Sequence, residues 1–365
     1  MQNALALARR AYGNTSPNPL VGAVLVKHGK VIGRGWHHRA GQPHAEVEAL
    51  KDAASKGNDP KGATLYVTLE PCCTHGRTPP CTEAIKAAKI KKVVVAATDP
   101  NPAHAGRAFP LLERAGIKVV SGILAEEAGE LNESFNHWIV HGTPLVIVKA
   151  AMTLDGKIAT AGGESKWITG EKARAYGMKL RQGADAILVG VNTVLADDPS
   201  LTVRVQSRNK SEEKKFRRII LDSQARTPLK AKVVSDEFRE FTTIVVLKSA
   251  PERRVTALAR QANVLVAPEK QGKIDLRWLV KKLGGENVMS LLVEGGGEVN
   301  ASFLLGRLAH RVAFFYAPKI LGGRDARKGV AGDGSTTLAD AIKLKDVEWR
   351  RLGADLLLTA RVDGD

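Results

Sequence analysis

His44-Ala45-Glu46, followed by Pro71-Cys72-Cys73-Thr74-His75-Gly76-Arg77-Thr78-Pro79-Pro80-Cys81, is the stretch from which the first half of this chain is read. The chain has 365 residues and three cysteines, all between positions 72 and 81. An odd, clustered set without a secretory signal argues against a disulfide framework and for a metal site. One imidazole and two thiolates supply the three protein ligands of a catalytic zinc, which keeps a fourth position open for water. Helical spacing at Val47, Leu50 and Ala54 puts His44 at a helix start, and Pro80 and Cys81 lead into another helix. The positive end of a helix dipole favours thiolate and hydroxide. Two residues after His44, Glu46 is placed to exchange protons with metal-activated water without ligating the metal.

Working outward, residues 4–12 predict a helix, and residues 20–26 and 30–35 predict two strands around the turn His28-Gly29. A helix over 43–56 stops at Gly57, and a strand follows over 63–69. Then come a helix over 80–89 with proline in its first turn, a strand over 92–97, a helix over 105–115 and a strand over 117–121. This alternation predicts an α/β domain, a sheet with helices packed on its faces. Residues 126–140 predict a connecting helix, broken by His141-Gly142-Thr143-Pro144, so the domain boundary is placed between 143 and 144. Apolar strands then recur over 144–151, 186–191, 218–221, 243–247, 263–266, 290–293 and 312–317. The halves share no internal repeat, and no long low-complexity tract is present.

H-x-E followed by P-C-x-x-C is the known signature of zinc-dependent nucleobase deaminases. Here the ligand cysteines are separated by eight residues instead of two. That longer insert, with Ser16-Pro17-Asn18-Pro19-Leu20-Val21-Gly22, resembles the deaminase domain of the bifunctional riboflavin biosynthesis family. The resemblance implies a cytidine-deaminase-like fold, zinc held by His44, Cys72 and Cys81, Glu46 as the catalytic acid/base, and Asn18 at the substrate. By residue type Cys73 is as good a ligand as Cys72; the family pattern, with cysteine directly after Glu-Pro, selects Cys72. His75 and Arg77 are candidate contacts for the pyrimidine or its phosphate, or simply loop structure. His28, His37 and His38 lack partners at ligand spacing and are expected on the surface.

In the second half, Val293-Glu294-Gly295-Gly296-Gly297-Glu298 runs from a strand through a glycine turn into a helix, where a phosphate can approach backbone N–H groups. It is not the GxGxxG of dinucleotide-binding Rossmann domains. Joined with Lys149-Ala150-Ala151-Met152-Thr153-Leu154-Asp155-Gly156-Lys157, Glu164-Ser165-Lys166-Trp167-Ile168-Thr169 and the segment from Gly190 to Arg204, it resembles the reductase domain of the same family. The resemblance implies a dihydrofolate-reductase-like fold. It implies NADPH contacts from Ala151, Trp167, Thr193, Asp197, Ser223, Gly296, Gly297 and Glu298. It further implies substrate contacts from Ser165, Arg181, Leu201, Arg204 and Glu294. Arg181 and Arg204 suit bidentate binding of a ribose phosphate, although a single arginine is more often exposed basic surface. Trp167 either stacks beside the nicotinamide or fills core.

A chain of this length predicts two domains, since domains run about 100–200 residues. No stretch reaches the roughly 20 apolar residues of a membrane span, and the N-terminus has its charges after a short apolar run, the reverse of a secretory signal. A cytoplasmic enzyme that binds no membrane is expected. The net charge is +17. Residues 1–143 hold 17 basic against 12 acidic side chains, and residues 144–365 hold 38 against 26. That excess suits phosphorylated small molecules as well as nucleic acid. The resemblance favours a phosphorylated pyrimidine substrate, no nucleic acid partner, and a homo-oligomer. Two rival readings are a deaminase of single-stranded nucleic acid with a basic C-terminal binding module, and a single-activity protein with one decayed half. The first predicts salt-sensitive RNA affinity and leaves Ser165–Trp167 and Asp197–Arg204 without a purpose.

Overall fold

Alternating apolar positions build a five-stranded sheet in the first part of the chain. The strands are β1 (Gly22–Lys27), β2 (Lys30–Trp36), β3 (Thr64–Leu69), β4 (Lys92–Ala97) and β5 (Lys118–Val120), in the order β2-β1-β3-β4-β5. The computed structural model describes residues 1–75, 79–203 and 216–363, and it separates into two units, Met1–Gly142 and Thr143–Asp365. In the first unit β1 runs antiparallel to β2 and β3, whereas β3, β4 and β5 are parallel. The β1–β2 hairpin turns through His28 and Gly29, both with positive φ (51° and 74°), as a tight two-residue turn requires.

The helices of this unit are α1 (Gln2–Ala8), α2 (Ala45–Ser55), α3 (Cys81–Ala87), α4 (Ala108–Arg114), α5 (Ala125–Leu131) and α6 (Glu133–His141). Strand periodicity of two sends Ala23, Leu25, Leu65, Val67, Val93 and Val95 to one face, under α2, α3 and α4. Val24 and Ala96 face the other way, against α1 and α5. Ala45, Ala49 and Ala53 form the buried stripe of α2, and the stripe rests on the backbone of β2. A Cβ at Gly35 would collide with the backbone of Ala45 and Ala49, and one at Gly33 with that of Ala49. This close approach holds the N-terminal end of α2, and with it His44 and Glu46, against the sheet.

The connecting helix expected over 126–140 is two helices, α5 and α6, divided at Asn132. The buried Asn132 amide accepts from Leu20 N (2.7 Å) and donates to Leu20 O (2.9 Å). An amide committed to a strand-like partner 112 residues away takes precedence over helical continuity.

The second unit contains β6 (Leu145–Thr153), β7 (Lys157–Ala159), β8 (Ala186–Gly190), β9 (Arg217–Leu221), β10 (Thr242–Leu247), β11 (Asn263–Ala267), β12 (Glu269–Lys270) and β13 (Lys273–Ile274). Beyond these lie β14 (Ser290–Val293), β15 (Arg311–Ala317), β16 (Arg327–Lys328), β17 (Leu344–Leu352) and β18 (Asp355–Val362). Nine of them form one sheet, β11-β10-β9-β8-β14-β6-β15-β18-β17, parallel from β11 to β15 and antiparallel at β18 and β17. Its helices are α7 (Glu171–Gly183), α8 (Val191–Asp197), α9 (Lys232–Ser235), α10 (Glu252–Ala259), α11 (Leu276–Gly285) and α12 (Gly297–Leu305).

Val146, Leu188, Ile219, Val245 and Val293 pack under α11 and α12, while Ile187, Val189, Ile220, Ile244 and Leu292 pack under α8, α9 and α10. Burial on both faces is why these strands read as continuous apolar runs. A fully buried side chain such as Phe303 or Ile187 contributes about 1.5–3 kcal/mol. β17 and β18 escaped the sequence reading. β17 is exposed along its centre and carries Lys345, Asp346, Glu348, Arg350 and Arg351, so only backbone pairing to β18 makes it a strand.

Candidate active sites

In the first unit, His44 caps the start of α2 and Cys81 opens α3. The Sγ atom of Cys72 lies 3.5 Å from His44 Nδ1, and that of Cys81 lies 3.3 Å from it. One donor atom from each of His44, Cys72 and Cys81 falls within 4.8 Å of the others, and Cys73 is not part of this cluster. A tetrahedral ion with Zn–N and Zn–S bonds of about 2.0 and 2.3 Å needs N···S edges of about 3.5 Å, so the donor set fits zinc. The Cys81 backbone N–H donates to Cys72 Sγ at 3.2 Å. Hydrogen bonding from Cys81, then His44 beside it, pulls the Cys72 thiol down to about 4, and the same bond together with burial pushes Cys81 up. Adjacent thiolates repel, and a dication between them removes the conflict. Glu46 is buried in the first turn of α2, where burial and the charge of Cys72 push its carboxyl up to about 7.

The surroundings of this cluster correct one expectation. His37 is not a surface residue; it is 2% exposed, bonds Asn18 and Pro43, and packs edge-on against His44. Its position directly after β2 buries it, and isolated histidines carry no local signal of that. Glu70 is a second residue that sequence reasoning missed. Its buried carboxylate accepts from the N–H groups of Asp99 (3.1 Å), Gly106 (2.8 Å) and Ala108 (2.9 Å), which ties the loop after β4 to the segment that bears Cys72. His75 is exposed, and Arg77 lies outside the described residues.

The second unit holds a cleft of about 1370 Å³. Thr193, Asp197, Ser223, Gly296, Gly297 and Glu298 all line it, with Ser165. Gly296 is the N-cap of α12 and no side chain caps that end, so first-turn N–H groups remain for an anion. A Cβ at Gly297 would collide with the carbonyl of Lys328, so glycine is required there. The donor-rich helix end and the basic side chains Arg226, Lys270, Lys273, Arg277, Arg327 and Lys328 fit a nucleotide that carries phosphates.

The comparisons with known proteins agree with both halves. Residues 144–358 match the family model "RibD C-terminal domain", and residues 1–97 match "Cytidine and deoxycytidylate deaminase zinc-binding region". The riboflavin biosynthesis protein RibD of Actinobacillus pleuropneumoniae is 44% identical over 98% of this chain and 93% of its own length. The chain belongs to the RibD family of riboflavin biosynthesis proteins. Among solved structures, RibD of Acinetobacter baumannii is 37% identical, covers 100% of this chain and 98% of its own, and superimposes with a TM-score of 0.87. A diaminohydroxyphosphoribosylaminopyrimidine deaminase/5-amino-6-(5-phosphoribosylamino)uracil reductase from Thermotoga maritima is 36% identical over 100% of this chain and 97% of its own, with a TM-score of 0.83. The RibD chain therefore joins a cytidine-deaminase-like, zinc-binding deaminase domain to a dihydrofolate-reductase-like domain of an NADPH-using reductase family. No helix among the described residues is long and apolar enough to cross a membrane.

Other residues expected at the RibD reductase site are distributed differently. Ser165 Oγ donates to Asp197 Oδ1 at 2.8 Å, bringing a substrate candidate and a cofactor candidate together. Arg181 and Glu294 form a bidentate pair at 2.8 and 2.9 Å, with Lys149 Nζ 3.4 Å from the same carboxylate. The fork read as a phosphate clamp is thus engaged by Glu294, and Arg204 lies outside the described residues. Burial alone would raise the Glu294 carboxyl; Arg181 and Lys149 overcome that and hold it at about 2. Leu201 is 3% exposed in the core beside Val191 and Val194, so its side chain faces away from solvent. Trp167 is 67% exposed, with the Arg174 guanidinium 4.7 Å from its ring centre, which excludes the core-filling alternative. Ala151 packs toward Ala313 and Phe315, away from the cleft lining. Lys149, quoted in the family segment without a role, is the residue that geometry adds.

Proposed function

We propose that this RibD chain deaminates 2,5-diamino-6-ribosylamino-4(3H)-pyrimidinone 5′-phosphate with residues 1–143 and reduces the deaminated product with residues 144–365. The observation that carries the reading is the convergence of His44 Nδ1, Cys72 Sγ and Cys81 Sγ within 4.8 Å beside a buried Glu46, in a chain that also holds the glycine-turn cleft. The zinc that these three residues would hold supplies Lewis-acid polarisation of water. Glu46 takes a proton from the attacking water and delivers it to the departing 2-amino group. The C–N bond is replaced by a carbonyl and ammonia leaves. A carboxyl raised by burial carries a proton at neutral pH more readily than an exposed one. Asn18, oriented by His37, contacts the pyrimidine edge.

In the second unit NADPH, when bound, would supply a hydride to the sugar C1′ of the ring-opened imine, after the C1′–O4′ bond has broken and the ring oxygen has taken a proton, which leaves a ribityl chain and NADP⁺. The first turn of α12, with Gly296, Gly297 and Glu298, binds the diphosphate. Thr193, Asp197 and Ser223 line the same cofactor cleft, and in this reading Ala151 of β6 and Trp167 of the loop before α7 complete the NADPH contacts. Ser165, Arg181, Arg204, Glu294 and the backbone at Leu201 bind the substrate, with Arg181 and Glu294 acting as an ion pair. We place the enzyme in the cytoplasm as a homo-oligomer that binds no nucleic acid.

The test is a coupled assay with the diaminopyrimidinone ribosyl phosphate, following ammonia and NADPH oxidation with and without a zinc chelator. Ammonia appearing first, NADPH oxidation depending on it, and loss of both on chelation support the reading. Zinc bound without ammonia release overturns the substrate assignment and brings single-stranded RNA deamination forward.

A further inference from the structure

The cleft of the second unit runs across the C-terminal ends of three neighbouring strands, β9, β8 and β14, from Ser223 past Thr193 to Gly296. Neighbouring strands lie about 4.8 Å apart, so the turn after β9 stands about 10 Å along the sheet from the glycine turn at α12. That is the direction and reach of a nucleoside extending from a diphosphate held at the helix end. Both ends of the cleft carry basic side chains, and only the end toward β9 lies in the direction a nucleoside would extend. Toward β7 and β16 it is lined by Ile158, Ala159 and Ser165, with Arg327 and Lys328 of β16 itself. Toward β9 and the β12–β13 hairpin it is lined by Ser223, Gln224, Arg226, Lys270 and Lys273.

The acids along this cleft are spoken for. Asp222 directly follows β9. Here it is fully buried, and its carboxylate accepts from Arg226 N (2.8 Å), Thr227 N (2.7 Å) and Thr227 Oγ1 (2.7 Å). It shapes the turn, and its side chain is not part of the cleft lining. Asp275 accepts from the N–H groups of Arg277 and Trp278 as the cap of α11. Asp197 is bonded to Ser165, and Glu298 to Gly332 N. Arg226 spends one N–H on Asn192 Oδ1 at 2.8 Å, which holds its guanidinium beside the start of α8. Lys270 and Lys273 are paired across the β12–β13 hairpin and have no acidic partner among the described residues.

We propose that the turn after β9 and the β12–β13 hairpin form the subsite for the adenosine 2′-phosphate of NADPH, with Arg226 as the residue that distinguishes NADPH from NADH. The inference rests on the NADPH reading above and adds the groups that enforce it. A guanidinium presents a planar fork to phosphate, and two lysines add point charges.

Equilibrium binding of NADPH and of NADH to the full chain, read from nicotinamide fluorescence, tests it without turnover. The variants are Arg226→Gln and the double variant Lys270→Gln/Lys273→Gln. Loss of a charge-assisted phosphate contact is expected to weaken NADPH by about 10–100-fold in Arg226→Gln while NADH stays within about 2-fold. The hairpin variant is expected to lower the NADPH/NADH affinity ratio by about 3–10-fold. If Arg226→Gln loses NADH as well, the hairpin variant decides on its own. A ratio unchanged in both variants, with a wild-type chain that prefers NADPH, overturns the subsite alone. A wild-type chain that binds NADPH no better than NADH overturns the cofactor reading on which it rests.

Discussion

Asn18 Nδ2 lies 3.0 Å from His37 Nε2, while His37 Nδ1 lies 3.1 Å from the carbonyl of Pro43. A carbonyl only accepts, so Nδ1 carries the hydrogen and Nε2 accepts from the Asn18 amide. The ring is therefore neutral, in keeping with burial, which lowers its pKa. The amide oxygen of Asn18 is left to act as an acceptor. We expect Asn18→Ala and His37→Ala each to lower kcat/KM for ammonia release by about 10–100-fold. Reduction of pre-deaminated substrate should persist in both. Normal deamination in Asn18→Ala removes Asn18 from the substrate site.

Glu46→Gln keeps the shape of the first turn of α2 but cannot shuttle a proton. Ammonia release should fall by roughly 10²–10⁴-fold. Zinc content, measured by atomic absorption, should stay at the wild-type level, and pre-deaminated substrate should still be reduced. A variant that deaminates at the wild-type rate shows that another group moves the proton.

The two adjacent cysteines give different expectations. Cys72 contributes to the three-atom cluster with His44 and Cys81, and Cys73 does not. Cys72→Ser and Cys81→Ser should purify with strongly reduced zinc and no ammonia release, whereas Cys73→Ser should retain both. Metal analysis of the three variants separates the assignments, and zinc lost only from the Cys73 variant reverses them.

Glu294 stands between two cations in a buried place, with side-chain exposures of 9% for Glu294 and 16% for Arg181. Removing one partner leaves charge buried without compensation, so Glu294→Ala should destabilise the second unit by about 3–5 kcal/mol. A thermal melt reads this directly. The pH dependence has a defined sign. The folded carboxyl is held at about 2, against about 4.3 in an unfolded chain. The unfolded state therefore binds more protons between these values. The stabilisation is fully present above about pH 4.3 and lost as the pH falls toward 2. Acid titration of the wild type should show this loss, and Glu294→Gln should lack it.

Local sequence carried much of the chemistry and a good part of the fold. The HxE segment, the clustered cysteines and the glycine turn after β14 are short-range patterns, and each announces a donor set or an anion site by residue type alone. The parallel strands of the second unit were legible because burial on both faces demands unbroken apolar runs. β17 was not, because an exposed edge strand has no burial period to display.

What the tertiary structure decided lies at long range. Arg181 and Glu294 meet across 113 residues as a bidentate ion pair that neither local segment announces. Asn132 reaches back 112 residues to Leu20 and splits a helix whose periodicity was continuous. His37 became a buried partner of Asn18, and Arg226, Lys270 and Lys273 came to line one cleft. The sequence determined which functional groups this protein owns, because the identity of a side chain is local. Only folding decided which groups face one another, because pairing depends on chain closure between distant elements that no local periodicity encodes.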